Sequence, residues 1–154
     1  FEQVTVVGVG LIGGSVGLAS RARGAAARVV GVGHDPKTLA RAVELGAIDS
    51  FSTDLAAGVR DTDLVVVCTP VDRIAGMILA AAPHVHPGTV FTDAGSTKQN
   101  ILCGLAGKMP DDCPYVPAHP IAGAEKAGVE HARADLFQDR VTIVTPPLGS
   151  DSEA

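Results

Sequence analysis

The sequence predicts an α/β fold: a doubly wound, mostly parallel sheet with helices on both faces. Three observations predict it. Short apolar runs alternate with helical segments along the 154 residues, the pattern of βαβ units. The runs are almost continuous valine, as in "VTVV" and "LVVV", which suits strands buried on both faces. The first run leads straight into "GVGLIGGS" at 8–15, a glycine turn between a strand and a helix. No further repeat with a period of roughly 20–50 residues is visible.

The elements follow in order. Residues 4–10 read as a buried strand ending in glycine, and 11–23 as a helix. A second strand spans 28–33, and a helix spans 35–47. That helix carries Asp35 as N-cap, Pro36 at its first position and Gly46 at its stop, the residue types those positions favour. A strand at 63–70 ends at Pro70, and 71–82 form a helix. Residues 88–96 are a strand plus loop, 97–108 a helix, 113–120 a short strand or extended run, and 139–147 a last strand. The domain spans 1–146, and "PLGSDSEA" at 147–154 reads as the start of a linker to a second domain.

Composition narrows the function. With 46% hydrophobic and 19% charged residues the chain is globular and long enough to bury a core. Aromatics at 3% and a formal charge of -5 argue against stacking on nucleic-acid bases and against an anionic membrane surface. No apolar run reaches the roughly 18–20 residues of a membrane span, and no secretory leader is visible. The chain begins at Phe1, as if an N-terminal segment had been trimmed. Cys68, Cys103 and Cys113 are an odd number at unrelated spacings, which fits a reducing cytoplasm and neither a disulfide framework nor a metal site.

The glycine turn carries the first functional expectation. Gly8 permits the tight turn, Gly10 lets a pyrophosphate approach the backbone, and Gly13 permits close helix packing. The helix beginning at Leu11 and Ile12 offers unpaired N–H groups and a partial positive charge to phosphate. This is the Rossmann-type dinucleotide site. Such folds usually place an acid near the end of strand two to hold the ribose. Here the strand ends "GVGHDP", with Gly33 about where the acid is expected. Asp35 either holds the ribose or caps its helix. With no carboxylate at 33, His34 or Lys37 could receive a 2′-phosphate, so NAD and NADP both stay open.

In a parallel doubly wound sheet the loops after the strands share one edge, where ligands bind. After "LVVVC" come Thr69, Pro70 and Val71, suited to cover an adenosine. After "TVFTD" come Gly95, Ser96, Thr97 and Lys98. After "CPYVPA" come His119 and Pro120. A hydroxyl and an imidazole thus stand in adjacent loops, near where a nicotinamide would lie. His119 is either a catalytic group or a turn-capping histidine before proline. His84 and His86 lie on a loop at the opposite edge and read as solvated. His131 reads as a surface residue in a polar, helical stretch.

The blocks "VVGVGLIGGSVGLA", "ELGAIDSFSTDL", "DLVVVCTPVD", "FTDAGSTK", "HPIAGAEKAGVEHARADLF" and "VTIVTP" resemble, in order, the TyrA family. These are the prephenate, arogenate and cyclohexadienyl dehydrogenases of tyrosine biosynthesis. The D-x-G-S-x-K and H-P-[IM]-x-G blocks are the specific part; the resemblance covers residues 3–146. It implies a cytoplasmic, NAD(P)-dependent oxidative decarboxylation of prephenate to 4-hydroxyphenylpyruvate, or of arogenate to tyrosine. His119 matches the family's catalytic histidine and Ser96 the serine that supports it. A helical second domain, absent from this chain, is implied to make a homodimer and complete the substrate pocket. Two departures stand out: many members have Asp at Gly33 and Arg at His34, and some have a hydroxyl residue at Ala124. Two other readings remain, a related β-hydroxyacid or imine oxidoreductase and a non-enzymatic NAD(P)-sensing domain.

Overall fold

The computed structural model of the chain describes residues 1–145. The linker expected at 147–154, and Pro146 at the end of the expected domain, lie outside the described residues. Six strands, β1 (Gln3–Val7), β2 (Arg28–Val32), β3 (Ser50–Ser52), β4 (Leu64–Val67), β5 (Val90–Asp93) and β6 (Tyr115–Val116), form one sheet. Its order is β3-β2-β1-β4-β5-β6 and every pairing is parallel. The chain reverses its direction of travel across the sheet between β1 and β4, so the switch point opens beside the glycine turn. The doubly wound α/β expectation is borne out.

The valine runs explain the two layers. Side chains alternate across a strand, so Val4 and Val6 of β1 and Val66 of β4 enter one core, with Leu39 and Ala42. That core lies under α1 (Leu11–Ala22) and α2 (Pro36–Glu44). Val7, Val65 and Val67 enter the other, with Ile74, Ile78, Ile101 and Leu105. Those residues come from α4 (Val71–Ala81) and α5 (Gln99–Leu105), with α3 (Leu55–Gly58) packed beside them. Each fully buried aliphatic side chain here contributes about 1.5–3 kcal/mol.

Helix ends follow local chemistry. Asp35 caps α2, accepting from the Lys37 and Thr38 amides at 3.1 and 3.2 Å and from the Thr38 hydroxyl at 2.6 Å. Pro36 takes the first helical position, where its missing N–H costs nothing. Gly46 follows the end of α2 in the left-handed region, φ 71°.

The second glycine of the "GG" pair and the serine after it are explained by tertiary packing. A Cβ on Gly14 would lie 2.9 Å from both Ala132 Cβ and Val129 Cγ2. Ser15 Oγ donates to the Leu11 carbonyl at 2.7 Å and accepts the Arg133 amide at 3.0 Å. The late segment around Val129 is thereby seated on α1.

The structure corrects several expected boundaries. The first strand stops at Val7, before the glycines, and the helix expected at 97–108 is only Gln99–Leu105. β3 and α3 were not expected. The run at 113–120 is two strands rather than one: β6 pairs with β5, while β7 (Ala118–Pro120) leaves the sheet. β7 pairs antiparallel with β8 (Thr142–Val144), so the last strand builds a separate ribbon with His119 opposite Ile143. Pro117, lacking an N–H, marks the break. His119 therefore sits in a short strand, not in a loop. Around His131 there is a single 3₁₀ turn, Val129–His131, and His131 is exposed.

Candidate functional site

A groove of about 700 Å³ opens at the carboxyl ends of β1, β2 and β4. Seven of the residues expected to hold a cofactor line it: Gly8, Gly10, Gly33, His34, Asp35, Thr69 and Pro70. Thr38, Arg73 and Met77, not anticipated from sequence, line it too. Leu11 and Ile12 begin α1 and Val71 begins α4 on the same edge. Gly13 is buried beneath the turn; a Cβ there would stand 2.2 Å from the Gly8 carbonyl oxygen. Its absent side chain permits this close packing of the turn on α1. Gly8 holds φ 93° and donates to the Val32 carbonyl at 2.8 Å, which fixes the turn to β2.

Two features equip this groove for an anionic, polar ligand. The N-terminus of α1 has no side-chain cap and no acid in its first turn, leaving its first N–H groups without intrahelical acceptors. The Thr69 hydroxyl is buried without a hydrogen-bond partner among the described residues. A buried unpaired hydroxyl is costly in an interior, so its place beside the groove points to a polar group of the ligand.

Asp35 lines the groove, and its carboxylate caps α2, where the Thr38 hydroxyl and Lys37 amide hold it below the usual carboxylate range. At Gly33, where an acid is expected, an added Cβ would press on the Leu39 side chain, with Cδ2 at 3.3 Å.

Next along the same edge lie Gly95, Ser96, His119 and Pro120, outside the groove lining. Ser96 is exposed, and His119 and Pro120 are half-buried. No hydrogen bond joins the Ser96 and His119 side chains. What joins their segments is Asp93, the last residue of β5, which is 2% exposed. One carboxylate oxygen, Oδ2, accepts the Gly95 amide at 2.8 Å and pairs with the Lys98 ammonium. The other, Oδ1, accepts the Tyr115 hydroxyl at 2.7 Å and the Ala118 amide at 3.3 Å. Burial, then the bond to Asp93, pushes the Tyr115 hydroxyl up, while burial and the Asp93 charge push the Cys68 thiol up to about 12. Sequence reasoning recorded the D-x-G-S-x-K block but not the roles of Asp93, Lys98 and Tyr115. The aspartate and lysine inside that block were the available signal.

The remaining histidines stand elsewhere. His84 and His86 are exposed, and His86 Nε2 lies 3.8 Å from Asp63 Oδ1 just ahead of β4. Among the described residues no three His, Cys, Asp or Glu side chains gather as metal ligands. No described helix is long and apolar enough to cross a membrane.

Comparison with known proteins gives this site a family. The model for the prephenate dehydrogenase nucleotide-binding domain matches residues 16–154. A prephenate dehydrogenase of Bacillus subtilis (strain 168) is 32% identical over 99% of this chain and 42% of its own length. A cyclohexadienyl dehydrogenase of Zymomonas mobilis is 34% identical over 100% of this chain and 52% of its own. The crystal structure of prephenate dehydrogenase from A. aeolicus in complex with hydroxyphenyl propionate and NAD+ superposes with a TM-score of 0.86 at 30% identity. It is matched over 95% of this chain and 51% of that one. The chain thus spans about half the length of the relatives it matches. The resemblance read from the motif blocks is borne out across that span, and the chain belongs to the prephenate dehydrogenase nucleotide-binding domain family.

Proposed function

We propose that this chain is the cofactor-binding part of a cytoplasmic prephenate or arogenate dehydrogenase. A second domain would form the homodimer and complete the substrate pocket. The observation that carries the reading is the tethering of the Ser96 and His119 segments to one carboxylate, beside the glycine groove. NAD or NADP would lie in that groove, its pyrophosphate against Gly8, Gly10 and the first N–H groups of α1. Thr69, Pro70 and Val71 would cover the adenosine side, and the Thr69 hydroxyl would gain the partner it lacks.

A nicotinamide held in the groove would supply the acceptor for the hydride that leaves C4 of the substrate ring. His119 accepts the hydrogen bond of the 4-hydroxyl and takes its proton as the C–O bond becomes a carbonyl. The bond to the ring carboxylate then breaks, CO2 leaves, and its electron pair makes the ring aromatic. The phenol oxygen regains a proton. Ser96, on the adjoining segment, would support His119 by bonding its imidazole once substrate and cofactor fill the edge.

The test is turnover by the full-length protein. Prephenate or arogenate is expected to support cofactor reduction with release of CO2, whereas β-hydroxyacids support neither. Binding of NAD or NADP without turnover of either cyclohexadienyl substrate would overturn the assignment. Cofactor choice is a separate measurement. Gly33→Asp places a carboxylate where the ribose 2′-OH is expected, and the Leu39 side chain must give by a few tenths of an ångström to admit it. The variant is expected to favour NAD over NADP by at least about tenfold more than the wild type, roughly 1.4 kcal/mol. Paired titrations with the two cofactors check it.

A further inference from the structure

We propose that Asp93 is a positioning residue for the reaction, one carboxylate that sets the Ser96 and His119 segments against each other. The inference rests on the proposed reading of Ser96 and His119. Gly95 immediately precedes Ser96, and Ala118 immediately precedes His119. Their backbone amides bind opposite oxygens of the same side chain, at 2.8 and 3.3 Å. Lys98, two residues beyond Ser96, and Tyr115, four residues before His119, complete the set. All four donors converge on a buried group, and each oxygen is committed to one side of the joint: Oδ2 to the Ser96 segment and Oδ1 to the His119 segment.

An ionised carboxylate is suited to this because it only accepts. The amide of asparagine would turn an NH2 toward one pair of donors whichever way it flips. Either the Gly95 and Lys98 side or the Tyr115 and Ala118 side would then lose its acceptor. The Lys98 charge balances the buried carboxylate, as a buried ion requires. Any relaxation of this joint moves Ser96 relative to His119, and neither Asp93 nor its four donors line the glycine groove.

The experiment is a double-mutant comparison in the full-length enzyme. Asp93→Asn is expected to lower kcat by about 10², the effect of a misplacement near 1 Å, while cofactor affinity changes less than about threefold. The decisive arm adds Asp93→Asn to His119→Asn. A residue acting through His119 adds little there, less than about threefold in kcat. Equal losses in both backgrounds would overturn the proposal in favour of a general structural role, and no loss in the single variant would overturn it outright. Should His119→Asn itself retain wild-type kcat, the functional reading fails first, and this inference with it. Should Asp93→Asn not fold, Tyr115→Phe removes only the hydroxyl on Oδ1. A kcat loss of at least about threefold that vanishes in the His119→Asn background supports the proposal, and no loss, or the same loss in both, overturns it.

Discussion

His119→Asn in the full-length enzyme is expected to lower kcat by at least about 10² while leaving cofactor affinity nearly unchanged. Asparagine keeps a polar group of similar reach but cannot take a proton at neutral pH. The loss therefore reports acid–base assistance rather than packing. Affinity should persist because His119 sits in the β7–β8 ribbon, apart from the residues that line the glycine groove. Steady-state kinetics with prephenate, alongside a cofactor titration, separate the two quantities. A variant with undiminished kcat would remove His119 from the mechanism.

The same residues show what a sequence alone can and cannot carry. The paired cores were legible because Val4, Val6 and Val7 belong to a strand buried on both faces, which valine runs announce. Helix α2 was legible because Asp35, Pro36 and Gly46 each have a local reason for their position. β3 and α3 were not, because "SFS" is a three-residue edge strand and "LAAG" a four-residue helix, both too short to display a period. The split at Pro117 was missed because an extended run looks the same whichever sheet it joins.

The active edge divides along similar lines. Topology alone put the Ser96 and His119 segments side by side. The carboxylate that joins them could not be read from spacing, since its donors lie 2, 5, 22 and 25 residues away. Gly14 and the acceptor role of Ser15 had no local meaning for the same reason: their partners there are Val129, Ala132 and Arg133, over a hundred positions along. Local rules set the elements, whereas long-range polar contacts set the site.

Gly13→Ala and Gly10→Ala are expected to fail in different ways, and the contrast tests the glycine turn. At Gly13 an added Cβ meets the Gly8 carbonyl oxygen at 2.2 Å and Val6 Cγ1 at 2.9 Å. The oxygen belongs to backbone, so no rotamer change relieves it; α1 or the turn must shift by about 1 Å to restore ordinary contact. Overpacking of this kind costs about 1–3 kcal/mol of stability. It also drags the first N–H groups of α1 off the pyrophosphate, so cofactor affinity should fall at least about tenfold, roughly 1.4 kcal/mol. At Gly10 an added Cβ meets nothing within 4 Å, and the residue's φ of -105° lies outside the left-handed region that favours glycine. Gly10→Ala should therefore keep the wild-type melting temperature and still bind cofactor at least about tenfold more weakly, because the methyl occupies the path of the pyrophosphate. Thermal unfolding and cofactor titration, run on both variants, distinguish the cases. Wild-type affinity in a folded Gly10→Ala protein would mean that no pyrophosphate approaches this turn, and the dinucleotide would have to lie elsewhere along the edge.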